Sequence, residues 1–179
     1  MRNAAIGYII KVLDRHWQLL EGAKNVDHLF EVIFSTLSEG AEEDESEEEE
    51  VPCMKSEMML DAIGSKFDNQ SISSSFLSYR SLADRVIKDA QIRLQSSDWH
   101  DRRTAFTSML VIMEYTNDYF KPLLHTLLPT LRPFLRDPVP SVRRKAAYFF
   151  SECGYYCEGP FLEAAPWIMT DIQEVGSLS

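Results

Sequence analysis

Glycine is scarce in this chain, with 7 in 179 residues, and no stretch alternates strictly between apolar and polar residues. Both absences argue against a sheet-rich fold, whose hairpins need glycine turns and whose half-buried strands alternate. Cysteine is also sparse. Cys53, Cys153 and Cys157 form neither an even disulfide set nor a CxxC pair. No basic-then-apolar leader opens the chain, so a reducing, intracellular compartment is expected. Long hydrophobic runs are missing too, because charged or polar residues interrupt every apolar stretch well short of the roughly 20 residues a membrane span needs. A soluble protein that inserts in no membrane is expected. There is no GxSxG, no HExxH and no glycine-rich phosphate cradle, and His16, His28, His100 and His125 are scattered. These absences exclude the common catalytic and metal signatures, so no enzyme, no cofactor and no metal is expected.

What the chain does have is acid in one place. Eight carboxylates, Glu42, Glu43, Asp44, Glu45, Glu47, Glu48, Glu49 and Glu50, fall within "EEDESEEEE", broken only by Ser46. The formal charge is −10, but without those eight the remaining 20 acids stand against 18 bases. The acidity is therefore local. Such a segment attracts lysine- and arginine-rich partners and repels nucleic acid phosphate, so direct nucleic acid binding is disfavoured.

Helical periodicity fills the rest. Apolar residues recur at i, i+3, i+4 and i+7 in Phe30, Ile33, Phe34 and Leu37, in Ala83, Val86, Ile87 and Ala90, in Leu124, Leu127, Leu128 and Leu131, and in Ala165, Ile168, Met169 and Ile172. Ala83, Leu124 and Ala165 stand 41 residues apart, the size of a helical repeat. A second helix type, opening on a basic residue, lies between the stripes at Arg2, Lys55, Arg103 and Arg144. The fold class expected is all-α, an α-solenoid of about four antiparallel helix pairs over 1–179, starting and ending mid-repeat with two exposed apolar helix faces. Helices are predicted over 1–22, 26–37, 54–67, 76–95, 100–116, 120–135, 140–156 and 160–173. The acidic run falls in the lengthened turn of the second pair, where 39–52 is predicted as a mobile loop.

Turn chemistry carries a resemblance. In "LLPTLRPFLRDPVPSVRRKAA" a proline lies inside the first helix, Asp137 in the turn and Arg143 at the opening of the second helix, a pattern that resembles the HEAT repeat. "SSDWHDRRTAF" keeps Asp98 and Arg103. An aspartate in such a turn can cap the following helix, where free amides and the helix dipole favour a carboxylate. The resemblance implies that Asp98, Arg103, Asp137 and Arg143 form a ladder between neighbouring turns.

From about residue 26 to 158, the acidic turn, the next helix pair and the proline-rich repeat together resemble the central part of the importin-β (karyopherin-β) nuclear transport receptors. That resemblance implies a binding module shared between cytoplasm and nucleus. Basic protein cargo or its import signals, the GTPase Ran and nucleoporins would be its partners. The contact would fall on Glu42, Glu43, Asp44, Glu45, Glu47, Glu48, Glu49 and Glu50 and on the inner repeat surface. The run here is glutamate-rich and continues "VPCMKSEMM", whereas the family's loops are often aspartate-rich with an aromatic following. A HEAT-type structural scaffold or adaptor in a multiprotein complex is the competing expectation. Trp99 and Trp167 are expected as packing residues, Trp17 as an exposed aromatic, and Cys153 and Cys157 as buried thiols beside Phe149 and Phe150.

Overall fold

A computed structural model describes residues 23–37, 52–68 and 79–168, together with Tyr8, Lys11 and Thr170. Among these, every regular element is helical. The α-helices are α1 (Ala23–Leu37), α2 (Pro52–Asp68), α3 (Tyr79–Arg93), α4 (Trp99–Phe120), α5 (Leu124–Leu131), α6 (Pro140–Tyr156) and α7 (Glu158–Ala164). Two 3-10 segments, Lys121–Leu123 and Arg132–Arg136, flank α5. The helix predicted over 1–22 and the acidic turn lie outside the described residues.

Three of the four predicted stripes face the interior, and of the fourth Ala165 and Ile168 are buried while Met169 and Ile172 lie outside the described residues. Leu29, Phe30, Ile33 and Leu37 of α1, Leu82, Ala83, Val86 and Ala90 of α3, and Leu124, Leu127, Leu128 and Leu131 of α5 are all buried. Spacings of three and four residues align such side chains on one helical face. The helices meet in an ordered way: α2 packs on α1 and α4, α4 on α3 and α6, and α6 on the Arg132–Arg136 segment and α7. Thus α2, α4 and α6 touch in succession, α2 against α4 and α4 against α6. A chain of edge-to-face rings runs through the C-terminal part. Phe106 meets Phe134 and Phe149 at 5.6 and 5.8 Å between centroids, Phe149 meets Phe150 at 6.0 Å, and Phe150 meets Trp167 at 5.7 Å.

Among the boundaries that depart from the sequence reading, three have a backbone reason in this part of the chain. The segment predicted as one helix over 120–135 is an eight-residue α-helix between two 3-10 turns. Pro122, Pro129 and Pro133 remove amide donors there, so an unbroken α ladder cannot form. Second, α4 runs past residue 116 to Phe120 but leaves helical dihedrals at Thr116 (φ −129°, ψ 19°), whose hydroxyl donates to the Ile112 carbonyl at 2.7 Å. That local bond competes with the backbone ladder, and the helix bends. Third, the helix predicted over 160–173 is interrupted: α7 starts at Glu158 after one non-helical residue, Cys157, and stops at Ala164, and helical backbone returns at Ile168 and Thr170, with 169 and 171–173 outside the described residues. Ala165, at φ −132° and ψ 55°, precedes Pro166, whose ring disfavours helical geometry in the residue before it.

The close contact between α2 and α4 depends on one glycine. A Cβ on Gly64 would collide with Cδ2 of Tyr115 and approach its Cε2 to 2.8 Å. The Tyr115 hydroxyl donates to Asp61 Oδ1 at 2.7 Å, which ties the same two helices. Gly64→Ala is therefore expected to shift Tyr115 and loosen that bond. Overpacking costs about 1–3 kcal/mol and the gain in helix propensity is about 1 kcal/mol, so a net loss of up to about 2 kcal/mol is expected in urea unfolding.

Candidate functional site

The turns between paired helices are interlocked. Asp137 accepts from Arg102 through both carboxylate oxygens, Nε to Oδ2 at 2.8 Å and Nη2 to Oδ1 at 3.0 Å, and its Oδ1 also accepts from the Val139 amide at 2.9 Å. Burial alone would raise the Asp137 pKa. The Arg102 hydrogen bonds, the Val139 amide and the charges of Arg102 and Arg143 outweigh it and hold the carboxyl below its ordinary value. Arg143 Nη1 donates to the carbonyls of Asp137 and Pro138 at 2.8 and 3.1 Å. Arg102 Nη1 does the same one turn earlier, to Ser96 and Ser97 at 3.2 and 3.0 Å. The Asp98 amide donates to Ser96 Oγ at 3.1 Å, as the Val139 amide does to Asp137. Ser96, Ser97, Asp98 and Arg102 thus occupy the places of Asp137, Pro138, Val139 and Arg143, each 41 residues on.

This geometry corrects one assignment. Arg102, not Arg103, holds Asp137, because one residue along a helix turns the side chain by about 100° and carries Arg103 off the turn. Asp98 has a different task from Asp137. Its Oδ1 caps α4 by accepting from the His100 amide at 2.9 Å, which with the His100 ring at 2.8 Å holds its pKa below the ordinary carboxylate value. Aligning aspartate with aspartate hid the correspondence, which the 41-residue spacing itself carried. Upstream, Arg93 donates to Asp89, Asp101 and the Phe34 carbonyl, and Thr104 Oγ1 donates to the Leu37 carbonyl at 3.0 Å. The end of α1 is thereby fastened to α3 and α4.

A groove of about 360 Å³ crosses α2, α4 and α6. Helix α2 contributes Glu57, Met58 and Asp61; α4 contributes Thr107, Leu110, Val111 and Glu114; α6 contributes Lys145, Tyr148, Glu152 and Tyr156. Four carboxylates face one ammonium, a formal balance of −3. Met58 and Tyr148 are about half exposed, at 49% and 54%. Tyr156 is half-buried, and burial followed by the charges of Glu114 and Glu152 raises its hydroxyl pKa. Sequence reasoning did not single out these residues. Their only signal was the i, i+4 recurrence of Tyr148, Glu152 and Tyr156, which looks like any amphipathic surface.

Glu42, Glu43, Asp44, Glu45, Glu47, Glu48, Glu49 and Glu50 lie outside the described residues, as do Cys53's side chain and Trp17. Helix α2 already begins at Pro52, earlier than the predicted 54, with proline in the first turn where its missing amide costs nothing. Trp99 packs against the core and stacks on His100 at 3.8 Å, and Trp167 lies under Arg132 at 4.5 Å. Among the described residues no three His, Cys, Asp or Glu gather to hold a metal ion, and no helix is long and apolar enough to cross a membrane.

Cys153 and Cys157 are buried free thiols. Burial, then the charges of Cys157 and Glu152, pushes the Cys153 thiol far up. Burial raises Cys157 too, with Lys121 opposing and Asp118 reinforcing. The thiolate is the nucleophile, so neither cysteine is expected to react with a maleimide in the native protein at about pH 8, and both are expected to react in denaturant. Raised thiol pKa values contribute stability that is present below the unfolded value, about 8.5, and lost as pH rises beyond it. Mass spectrometry of labelled peptides with and without denaturant checks the first point.

No protein-family model matches the chain, and no curated protein matches it.

Proposed function

We propose that the chain is a HEAT-type helical array that acts as a binding module for basic protein segments, in the manner of an importin-β-like nuclear transport receptor working between cytoplasm and nucleus. The observation that carries this reading is the acidic groove across α2, α4 and α6, where Asp61, Glu114 and Glu152 surround apolar and aromatic side chains. A lysine- or arginine-rich segment has both the charge and the long apolar stems to fit such a surface. The 41-residue offset shared by two interlocked turns supports the repeat reading. The run from Glu42 to Glu50 adds a second, denser source of negative charge, joined to the array between α1 and α2. Ran and nucleoporins, as further partners, belong to the same proposal.

The test is fluorescence anisotropy with a labelled basic import-signal peptide. Replacing residues 42–50 by Gly/Ser is expected to weaken binding about tenfold or more, and the loss is expected to shrink as salt rises, because added salt shortens the screening length below the about 8 Å of physiological ionic strength. Equal affinity of the two proteins at low salt would remove the acidic run from the site.

A further inference from the structure

The groove is not uniform along its length, and its acidic end carries a finer specificity that rests on the reading of the groove as a site for basic segments. Lys145, Tyr148, Glu152 and Tyr156 follow one another on α6 at intervals of three and four residues, so they share a face. The 41-residue register of the interlocked turns sets Tyr156 level with Tyr115 of α4, and the Tyr115 hydroxyl donates to Asp61 of α2 at 2.7 Å. Asp61, Glu114, Glu152 and Tyr156 therefore gather at one end. Lys145, seven residues before Glu152, lies about 10 Å away along the helix, and Lys121, whose charge reaches Cys157 next to Tyr156, is paired with Asp118.

Two kinds of protein cation compete for such a place. An ammonium is a compact, strongly hydrated point charge. A guanidinium is planar, more weakly hydrated, stacks on aromatic faces and spreads its N–H donors in a fork that matches carboxylates. The apolar side chains of Leu110 and Val111 in the lining offer nothing to a hydration shell, while Tyr156, edge-to-face with Tyr155 at 5.0 Å, brings an aromatic ring and Glu114 and Glu152 offer acceptors from different helices. The charges of both carboxylates act on the Tyr156 hydroxyl, in keeping with their nearness to the ring. The geometry points to an arginine-selective subsite, in which a partner's guanidinium lies on the Tyr156 ring and shares its donors between Glu114 and Glu152.

The experiment compares fluorescein-labelled tetra-arginine and tetra-lysine on the full chain at one salt concentration. Wild type is expected to bind the arginine peptide about tenfold more tightly, the scale of a cation–aromatic contact joined to a charge-assisted fork. Tyr156→Phe keeps the ring and is expected to keep the preference. Tyr156→Leu removes it and is expected to bring the ratio close to one, as is the double variant Glu114→Gln/Glu152→Gln, whose side chains are isosteric and leave the fold intact. Equal affinity of wild type for the two peptides overturns the selectivity while leaving the basic-segment reading in place. A preference that persists in the double variant also overturns it. Failure of both peptides to bind removes the basic-segment reading itself, and the subsite with it.

Discussion

Asp137→Ala is expected to destabilise the protein by about 3–5 kcal/mol, the scale on which removal of one member of a buried ion pair strands the other. The Asp137 side chain is 4% exposed and that of Arg102 is 12% exposed, so water cannot replace the lost partner fully. The Val139 amide, at the N-cap of α6, loses its acceptor as well. Domains of this size are stable by about 5–15 kcal/mol in total, so the variant should lose a large fraction of its stability. Two controls separate the pair from the position. Replacing Arg102 by Met in the same background should recover part of the loss, because a neutral pair strands no charge. Acid titration supplies the second. The Asp137 pKa is lowered in the folded protein, so its contribution is present above the unfolded value, about 3.9, and lost as pH falls through the folded one. Wild type should lose this increment below about pH 4, and Asp137→Ala should have none to lose. Chemical denaturation at several pH values reads both effects.

Phe106→Ala is expected to cost a similar amount, about 3–5 kcal/mol, by a different route. Phe106 is fully buried and sits at the branch of the ring chain, edge-to-face with Phe134 from the segment after α5 and with Phe149 of α6. Truncation opens a cavity between α4 and both of its C-terminal neighbours and deletes two aromatic contacts, each worth about 0.5–1.5 kcal/mol beyond area. Because the neighbouring rings are themselves packed, Phe149 against Phe150 and Phe150 against Trp167, the cavity cannot close by a simple shift. Phe106→Leu fills more of the space and should lose markedly less. An effect no larger in the alanine variant than in the leucine variant would mean that the rings repack freely.

How far the sequence disclosed this architecture depends on which physical signal each element carried. The stripes of α1, α3 and α5 were legible because burial of one helical face imposes three- and four-residue spacing, and Phe30, Ile33, Val86 and Leu128 are buried as that spacing requires. Asp98 as a helix cap was legible from local chemistry alone. The partner of Asp137 was not, because Arg102 and Arg103 are adjacent identical residues and only helix phase distinguishes them. Ser96 was missed because its hydroxyl takes the place of the Asp137 carboxylate in accepting an amide, an equivalence of atoms and not of residue types. The breaks in the proline-rich segment and at Ala165 were lost to periodicity, which counts apolar residues and ignores missing amide donors. The groove was least legible of all. Its members come from three helices 57 to 156 residues into the chain, and their assembly is a product of packing.

The most direct test of the basic-segment reading is the affinity of the full chain for an arginine-rich peptide, measured by isothermal titration against Glu114→Gln/Glu152→Gln at the same salt. Removing two of the four groove carboxylates without changing their shape is expected to weaken binding about tenfold, equivalent to about 1.4 kcal/mol, with the difference narrowing as salt is added. Unchanged affinity in the double variant would contradict the assignment of the α2, α4 and α6 groove as the binding surface.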